Sequence, residues 1–269
     1  MMSRLLVHPH EPDAEGRVLG VSPESAGWRY VGFDLYRLGP GRRLARATGR
    51  REVCLVLLSG KAHVTAGDTR YEDLGDRMSV FEGNGPYAVY VPAAASFEVE
   101  ALTGLELAVC SAPGKGGQGA RLIRPEEMSR ETRGTGTNTR HVCDILPDTE
   151  PADSLLVVEV ITPGGHWSSY PPHKHDDDNP PVETCLEETY YHRIDPPQGF
   201  AFQRVYTDDR SLDETMTVQD GDVVLAPKGY HPVGAAHGYD LYYLNVMAGP
   251  VRAWRFSNDP EHEWILRQA

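Results

Sequence analysis

Two histidines separated by one residue, His173 and His175, have the spacing of a metal-binding pair. In an extended segment their side chains point the same way, so both imidazoles can face one ion. Two adjacent glutamates, Glu187 and Glu188, follow them, and a third histidine, His231, ends a tight Pro/Gly turn. Three imidazoles and one carboxylate suit a divalent cation such as Zn, Mn, Fe, Co or Ni, with positions left open for substrate oxygens.

The choice between the two glutamates follows from strand alternation. Glu188 shares one face of an extended segment with Tyr190 and His192, which favours Glu188 as the metal ligand. Glu187 is the alternative. A His-x-His pair by itself is also typical of solvated histidines in a loop rich in Pro and Asp, so the metal site depends on the glutamate and His231 joining the pair.

The elements that position these residues are predicted to be strands. Short runs of Val, Leu, Tyr and Phe are punctuated throughout by 27 Gly and 21 Pro, which favours an all-β fold. Two β-rich blocks, 15–113 and 153–256, each contain a Gly-Asp pair that opens a strand ending in Pro. This internal duplication predicts two tandem jelly-roll barrels, each of which closes two sheets over a central cavity.

The first block has Ala and Ser where the second has a histidine, so we expect metal ligands in the second barrel alone. The tail 257–269 predicts a short helix with Asn258 or Asp259 as cap and Pro260 in its first turn. Trp264 and Ile265 would pack on a barrel or a neighbouring subunit. The expected domains are an N-terminal barrel without metal ligands at 1–113, an inter-domain linker at 114–150 and a C-terminal metal-binding barrel at 151–269.

Composition excludes several classes of function. The chain has 269 residues, 39 acidic and 26 basic, and its formal charge of −13 disfavours a nucleic-acid partner. It lacks an apolar run of about 20 residues and a signal peptide, so we expect a cytoplasmic protein with no membrane partner. The scattered cysteines form no Cys-x-x-Cys pair and are expected to be reduced and structural. They are Cys54, Cys110, Cys143 and Cys185.

The spacing Gly221-x5-Pro227-x-Gly229 before His231 resembles the metal motif of the cupin superfamily, in which a His-x-His and a Glu come first. The glutamate pair here begins twelve residues after His175, where ordinary cupins have three or four. The intervening loop is expected to form part of the rim of the active site.

A more specific resemblance, to the family of 5-deoxy-glucuronate isomerases of bacterial myo-inositol catabolism, covers nearly the whole chain. These bicupins are related to the 4-deoxy-threo-hexosulose-uronate ketol-isomerases of pectin breakdown. The resemblance rests on long motifs: RGTGTNTRHVCDILP (133–147), SYPPHKHD (169–176), LEETYYHRI (186–194), GFAFQRVYTDDRSLDETM (199–216) and APKGYHPV (226–233).

The resemblance implies a metal-dependent isomerase that converts 5-deoxy-glucuronate, an aldose acid, to its ketose partner 5-dehydro-2-deoxy-gluconate. The reaction passes through an enediolate, which a bound cation can stabilise as a Lewis acid. The candidates for moving protons are His192, Tyr190, Tyr206 and Glu188. For His192 and the two tyrosines, the alternative is an ordinary packing role.

The carboxylate of such a substrate requires a cationic clamp, and the planar fork of arginine suits it. Arg133, Asn138 and Arg140 lie in the unusual polar motif between the two blocks. Arg204, with Gln203 beside it in a strand, is the alternative clamp. The polar motif is otherwise a solvated loop or a contact between barrels, and Arg204 is otherwise half of a surface ion pair.

Two other functions use the same ligand set. A cupin dioxygenase would hold iron at these residues, and a non-catalytic bicupin would bind a sugar acid without turnover. We also expect a homo-oligomer, because cupins often pair through barrel edges and the ligand-free half offers such a surface.

Overall fold

The computed structural model describes residues 3–268, and nearly all of its regular structure is β-strand, as the sequence predicts. The chain divides into two compact units. The N-terminal unit contains residues 9–129 and 144–157, and the C-terminal unit contains residues 3–8, 130–143 and those from Val158 onward. This division differs from the expected boundaries at 113 and 150. The polar segment between them is not a free tether, because Arg140–Leu146 is a strand with alternately buried side chains.

Eleven strands occur before residue 124. They are β1 Leu6–Val7, β2 Arg17–Val21, β3 Gly32–Leu38, β4 Arg43–Ala47, β5 Arg51–Ser59, β6 Ala62–Ala66, β7 Thr69–Leu74, β8 Ala88–Val91, β9 Ser96–Ala101, β10 Leu105–Pro113 and β11 Arg121–Ile123. All except β1 belong to the N-terminal unit. They form a six-stranded sheet in the order β11-β8-β5-β10-β3-β2 and a four-stranded sheet in the order β4-β9-β6-β7.

The core of the N-terminal unit lies between these two sheets and is apolar. Side chains that alternate inward along the strands fill it, because a strand turns every second residue to the same face. The six-stranded sheet contributes Leu55, Val89 and Leu107, and the four-stranded sheet contributes Val64 and Val99, all buried. The expected ligand-free barrel therefore has an interior occupied by aliphatic side chains.

The remaining strands run from residue 129 to 258. They are β12 Ser129–Arg133, β13 Arg140–Leu146, β14 Leu156–Thr162, β15 Trp167–Ser168, β16 His173–Lys174, β17 Glu187–Asp195, β18 Ala201–Tyr206, β19 Asp213–Val218, β20 Val223–Ala226, β21 Val233–Ala235, β22 Asp240–Ala248 and β23 Ser257–Asn258. One sheet has the order β1-β20-β17-β22-β14-β13-β12 and another β15-β21-β18-β19, while β16 pairs with β23. Side chains of β17 and β22 contact those of β18 and β15, so the two larger sheets face each other.

Helices are short. An α-helix spans Pro23–Ala26, and 3-10 turns span Val80–Glu82, Pro125–Glu127, Gly136–Asn138 and Glu263–Gln268. Among residues 3–268, no helix has the length and apolar character needed to cross a lipid bilayer. All four cysteines are free, and burial raises the pKa of Cys54 to about 12, which agrees with their expected structural role.

The tail 257–269 contains a short helix, as the sequence predicts, but it is a 3-10 helix that begins at Glu263, later than Pro260. Ser257–Asn258 is strand β23, and a turn separates it from the 3-10 helix. The turn forms because the Asp259 carboxylate accepts a hydrogen bond from the Glu261 N–H at 3.0 Å and another from the Tyr206 hydroxyl at 2.8 Å. Within the chain Trp264 is 51% exposed, so the expected packing of this side chain on the barrel is not found.

Candidate functional site

Three imidazoles meet inside the C-terminal unit. His173 lies on β16, His175 follows it, and His231 lies in the turn between β20 and β21. One ring nitrogen from each lies within 4.8 Å of the others. The rings of His173 and His175 lie 5.0 Å and 4.9 Å from the ring of His231. The sequence-predicted histidines therefore form an imidazole cluster (His173, His175 and His231) of a size that one ion can bridge.

Glu188 supplies a carboxylate to this cluster. Its Oε2 lies 2.9 Å from His175 Nε2 and 3.2 Å from His231 Nε2, and its side chain is buried. Burial opposes ionisation, but the hydrogen bond from His175 and the nearness of both imidazoles hold the pKa of Glu188 at about 2. Glu187 precedes it on β17, where alternation turns it to the opposite face. The structure thus brings Glu188 to the imidazoles and leaves Glu187 away from them.

The outer nitrogens of two imidazoles are fixed by backbone carbonyls. His175 Nδ1 donates to the Leu186 carbonyl at 3.1 Å, and His231 Nδ1 donates to the Gly229 carbonyl at 2.8 Å. Both Nε2 atoms are consequently directed at Glu188. This is how metal-ligating histidines are usually oriented, with the far N–H bound to a carbonyl or carboxylate.

Buried His231 Nε2 has no hydrogen-bond partner in the described chain, despite the carboxylate 3.2 Å away. A buried lone pair of this kind is costly unless something binds it. Burial lowers the pKa of His175, but the hydrogen bond and charge of Glu188 raise it above its ordinary value overall. A cation would displace that proton and bind the orphaned nitrogen, so the donor set fits a divalent metal ion.

The turn that carries His231 depends on glycine. Gly229 has a φ of +83°, and a Cβ there would lie 2.3 Å from the Tyr206 carbonyl oxygen. Its N–H donates to the Asp176 carboxylate at 2.7 Å, and Lys174 binds the same carboxylate at 3.0 Å. These bonds connect the His-x-His segment to the His231 turn, which explains why a Pro-x-Gly sequence accompanies the third histidine.

Buried hydroxyl groups lie beside the cluster. The Tyr190 hydroxyl is 2.9 Å from Ser169 Oγ, and the Tyr243 hydroxyl bonds Ser168 Oγ. Burial and the nearby Glu188 carboxylate keep the pKa of Tyr190 well above its ordinary value. Sequence reasoning selected Tyr190 by strand alternation but assigned no role to either serine, although Ser169 begins the motif SYPPHKHD.

His192 lies deeper, behind the ring of Tyr190. The Tyr190 ring is 5.9 Å from the His192 ring and 5.6 Å from the His231 ring. His192 Nε2 bonds Gln203 Oε1 at 2.9 Å, and the Gln203 amide donates to the His231 carbonyl at 3.3 Å. Burial lowers the pKa of His192 to about 4. His192 and Gln203 therefore support the His231 turn and lie outside the imidazole cluster.

Tyr206 and Arg204 have partners elsewhere. The Tyr206 hydroxyl donates to Asp259, and the Arg204 guanidinium lies 4.2 Å from the Tyr206 ring. Arg204 also binds both carboxylate oxygens of Asp213 at 2.7 Å and is 40% exposed at its side chain. The structure does not bring either residue to the imidazole cluster, and for Arg204 it favours the alternative of an ion pair.

Arg140 is a predicted clamp residue whose charge reaches the site. Burial lowers its pKa, and its charge acts on Tyr243 and on His173. Its Nη1 donates to the Asn138 carbonyl at 3.0 Å, and the Asn138 side-chain oxygen is buried without a hydrogen-bond partner. The Arg140 guanidinium thus offers hydrogen-bond donors near Tyr243 and His173, and the Asn138 side-chain oxygen offers an acceptor two positions earlier in the chain.

Arg133 joins an aromatic wall beside His173. The Phe256 ring lies 4.6 Å from the His173 ring and 6.0 Å from the Trp254 ring. The Arg133 guanidinium lies 5.2 Å from the Trp254 ring, and its Nε binds Glu131 at 2.6 Å. The two aromatic side chains were not selected from the sequence, because neither belongs to a polar motif.

The model of the KduI/IolB family matches residues 5–265. The 5-deoxy-glucuronate isomerase of Geobacillus kaustophilus is 61% identical over 98% of this chain and 96% of its own length. The 5-deoxy-glucuronate isomerase of Bacillus subtilis strain 168 is 48% identical over 99% of this chain and its own full length.

Two solved structures resemble the fold. An IolB-like protein from Salmonella typhimurium LT2 has a TM-score of 0.95 and 54% identity, covering 97% of this chain and 99% of its own. A Lactobacillus farciminis oxalate decarboxylase has a TM-score of 0.69 and 14% identity, covering 100% and 91%, a likeness of fold alone that supports the expected bicupin architecture. The extent of the family match and the identity of these relatives lead to one conclusion: the chain belongs to the KduI/IolB family.

Proposed function

We propose that this chain isomerises 5-deoxy-glucuronate to 5-dehydro-2-deoxy-gluconate with the help of a divalent cation. The observation that carries the proposal is the buried imidazole cluster with Glu188, in a chain whose relatives bear the name of this isomerase. His173, His175, Glu188 and His231 would hold the cation. Nitrogen and carboxylate donors of this kind accept Zn, Mn, Fe, Co or Ni according to supply. When bound, the cation would supply Lewis-acid stabilisation of negative charge on substrate oxygens.

We assign proton transfer and substrate binding to Glu188 and to the side chains around the cluster. The Glu188 carboxylate takes the proton from the carbon next to the aldehyde, and the Tyr190 hydroxyl donates to a substrate oxygen. Arg140 binds the substrate carboxylate with the buried Asn138 oxygen beside it as an acceptor for a hydroxyl. Phe256 packs against the His173 imidazole and would hold that ring in place. We assign His192, Gln203, Tyr206 and Arg204 to the support of the barrel.

The proposal is tested by incubating the cation-loaded protein with 5-deoxy-glucuronate in heavy water and following the product by NMR, before and after chelation. We expect conversion that stops on chelation and returns with the cation. Absence of conversion with the metal content verified would refute it. Oxygen uptake by the iron form would instead favour a dioxygenase, and binding without turnover would favour a sugar-acid-binding protein.

Arg140→Ala tests the clamp. Removal of a charged hydrogen bond to the carboxylate should lower kcat/KM by about 10- to 100-fold, mainly through KM. Steady-state kinetics measure it. Arg204→Ala is the matched control, because Arg204 is bound to Asp213 and should leave the kinetics unchanged. Equal losses in both variants would contradict the assignment.

A further inference from the structure

Four buried hydroxyl groups lie in a row beside the imidazole cluster. Ser169 is hydrogen-bonded to Tyr190, whose ring lies 5.0 Å from the Tyr243 ring, and the Tyr243 hydroxyl bonds Ser168. None of these side chains is more than 6% exposed. A hydroxyl both donates and accepts a hydrogen bond, so such a row can transfer a proton by exchanging donor roles while every member stays neutral. We call Ser168, Ser169, Tyr190 and Tyr243 the hydroxyl row.

The two tyrosines of the hydroxyl row lie next to the two parts of the proposed active site. Tyr190 adjoins the Glu188 carboxylate, whose charge and hydrogen bond act on it. Tyr243 adjoins Arg140, whose charge acts on the phenol. A substrate held between the cation ligands and Arg140 would therefore present its oxygens to the row.

Ser169 of the hydroxyl row has an unfavourable backbone conformation. Its φ is +50°, in the left-handed region that side chains other than those of Gly, Asn and Asp rarely adopt. Glycine would adopt this conformation without cost but would remove the hydroxyl. A strained residue that keeps a polar group at a buried site points to a use for that group.

We propose that Ser169 and Tyr190 form the relay that moves the oxygen-bound proton during isomerisation, an inference that rests on the proposed function. The carbon next to the aldehyde gives its proton to the Glu188 carboxylate, and the electrons of that bond form the carbon–carbon double bond of the enediol. Tyr190 gives a proton to the former aldehyde oxygen and is reprotonated by Ser169. In the same event the second carbon becomes the carbonyl, its hydroxyl proton passes to Ser169 and restores that hydroxyl, and the first carbon takes the proton from Glu188. One C–H and one O–H bond are broken and one of each is formed.

The relay predicts that proton removal from carbon and product formation can be uncoupled. In Ser169→Gly, the enediol should still form but should return more often to the aldose, because transfer between the oxygens is slowed. In heavy water, NMR should then detect deuterium at the second carbon of unreacted aldose. We expect the ratio of this exchange to ketose formation to rise about tenfold over wild type. This corresponds to an increase of about 1.4 kcal/mol in the activation free energy of proton transfer between the oxygens.

Ser169→Gly should fold, because glycine relieves the left-handed backbone. Tyr190→Phe breaks the next link and should raise the same ratio. Thr189→Val is the matched control, because Thr189 is a buried hydroxyl on the opposite face of β17, and its Oγ1 has no hydrogen-bond partner in the described chain. It should leave the ratio at the wild-type value. The metal content and the unfolding midpoint of each variant are measured alongside.

The relay is overturned if the ratio of exchange to ketose formation in Ser169→Gly equals that of an active wild type. This includes the case in which both rates fall by the same factor. A cation-loaded wild type with neither exchange nor turnover would instead overturn the proposed function and the relay with it.

Discussion

Glu187 and Glu188 are adjacent in the sequence but occupy opposite faces of β17, and this difference gives a direct test of the metal ligands. Glu188→Gln removes the carboxylate that lies 2.9 Å from His175 Nε2. Since metal affinity falls 10- to 100-fold when even an outer partner of a ligand is lost, we expect a loss of about 100-fold or more. Titration calorimetry with a divalent cation on chelator-treated protein measures it.

Glu187→Gln is the control for this experiment, because it changes the same chemical group one position away. Its affinity for the cation should match that of the wild type. The assignment of Glu188 fails if the two variants bind the cation equally well, or if Glu187→Gln is the weaker binder.

Buried His192 should make stability depend on pH. Burial lowers its pKa to about 4 in the folded state, against about 6.5 for an unperturbed histidine. The stability contributed by neutral His192 is therefore complete above pH 6.5 and is lost as the pH falls toward 4, with about 2 kcal/mol lost by pH 5. The glutamine of His192→Gln does not titrate. Between pH 7 and pH 5 the free energy of unfolding of this variant, measured with urea, should therefore fall by about 2 kcal/mol less than that of the wild type. An identical loss in both proteins would exclude His192 as the cause.

Residue types and their spacing predicted the imidazole cluster, while the roles of Ser168 and Ser169 could not be predicted from residue type. Strand alternation was sufficient to select Glu188 and Tyr190, because the period of a strand fixes which side chains share a face. It also selected His192, but alternation says nothing about depth, and the Tyr190 ring separates His192 from the cluster. Ser169 reaches the site through a left-handed backbone conformation that sequence alone does not reveal.

At the scale of elements, one buried carboxylate joins the start of β5 to residues 153–155, a later segment of the same N-terminal unit. Glu52 is fully buried, and its two oxygens accept hydrogen bonds from the backbone N–H groups of Asp153, Ser154 and Leu155 at 2.6 to 2.7 Å. The Tyr90 hydroxyl donates to it as well, at 2.7 Å. Four donors therefore surround one carboxylate.

Glu52→Gln should destabilise the protein by about 3 kcal/mol, because its amide would direct N–H groups at buried donors and leave some of them unpaired. The urea unfolding free energy of the variant measures this. Glu72→Gln, at an exposed position of β7, should change the free energy by no more than about 0.5 kcal/mol. A Glu52 variant as stable as the Glu72 variant would contradict the role of this carboxylate.

Strands were predictable from the sequence where apolar runs are strong, as in β5, β17 and β22, and less so where polar residues dominate. The segment 114–150 reads as a linker because its Gly, Thr and Asn residues obscure Arg140–Leu146, although Val142, Cys143, Ile145 and Leu146 are buried. In the tail, Asp259 bonds the Glu261 N–H as its capping sequence predicts, but its bond to Tyr206, 53 positions away in the sequence, could not be predicted from the local pattern.

For the whole molecule, cation binding should contribute to stability. A ligand present at a thousandfold excess over its Kd stabilises the folded state by about 4 kcal/mol. We expect chelation to lower the unfolding midpoint of the wild type, as measured by calorimetry. Glu188→Gln should show little shift on chelation, and a wild-type midpoint unaffected by chelation would argue against a resident cation.

The pairing of β1 with β20 sets a condition on how the protein is made. Leu6 and Val7 lie opposite Val224 and Val223, so a strand at the start of the chain completes a sheet of the unit that carries the imidazole cluster. During translation at about 5 to 20 residues per second, this strand waits about 10 to 40 seconds for its partner. The sheet of the C-terminal unit is therefore completed only late in synthesis, and β1 must stay free of other pairings until β20 has left the ribosome.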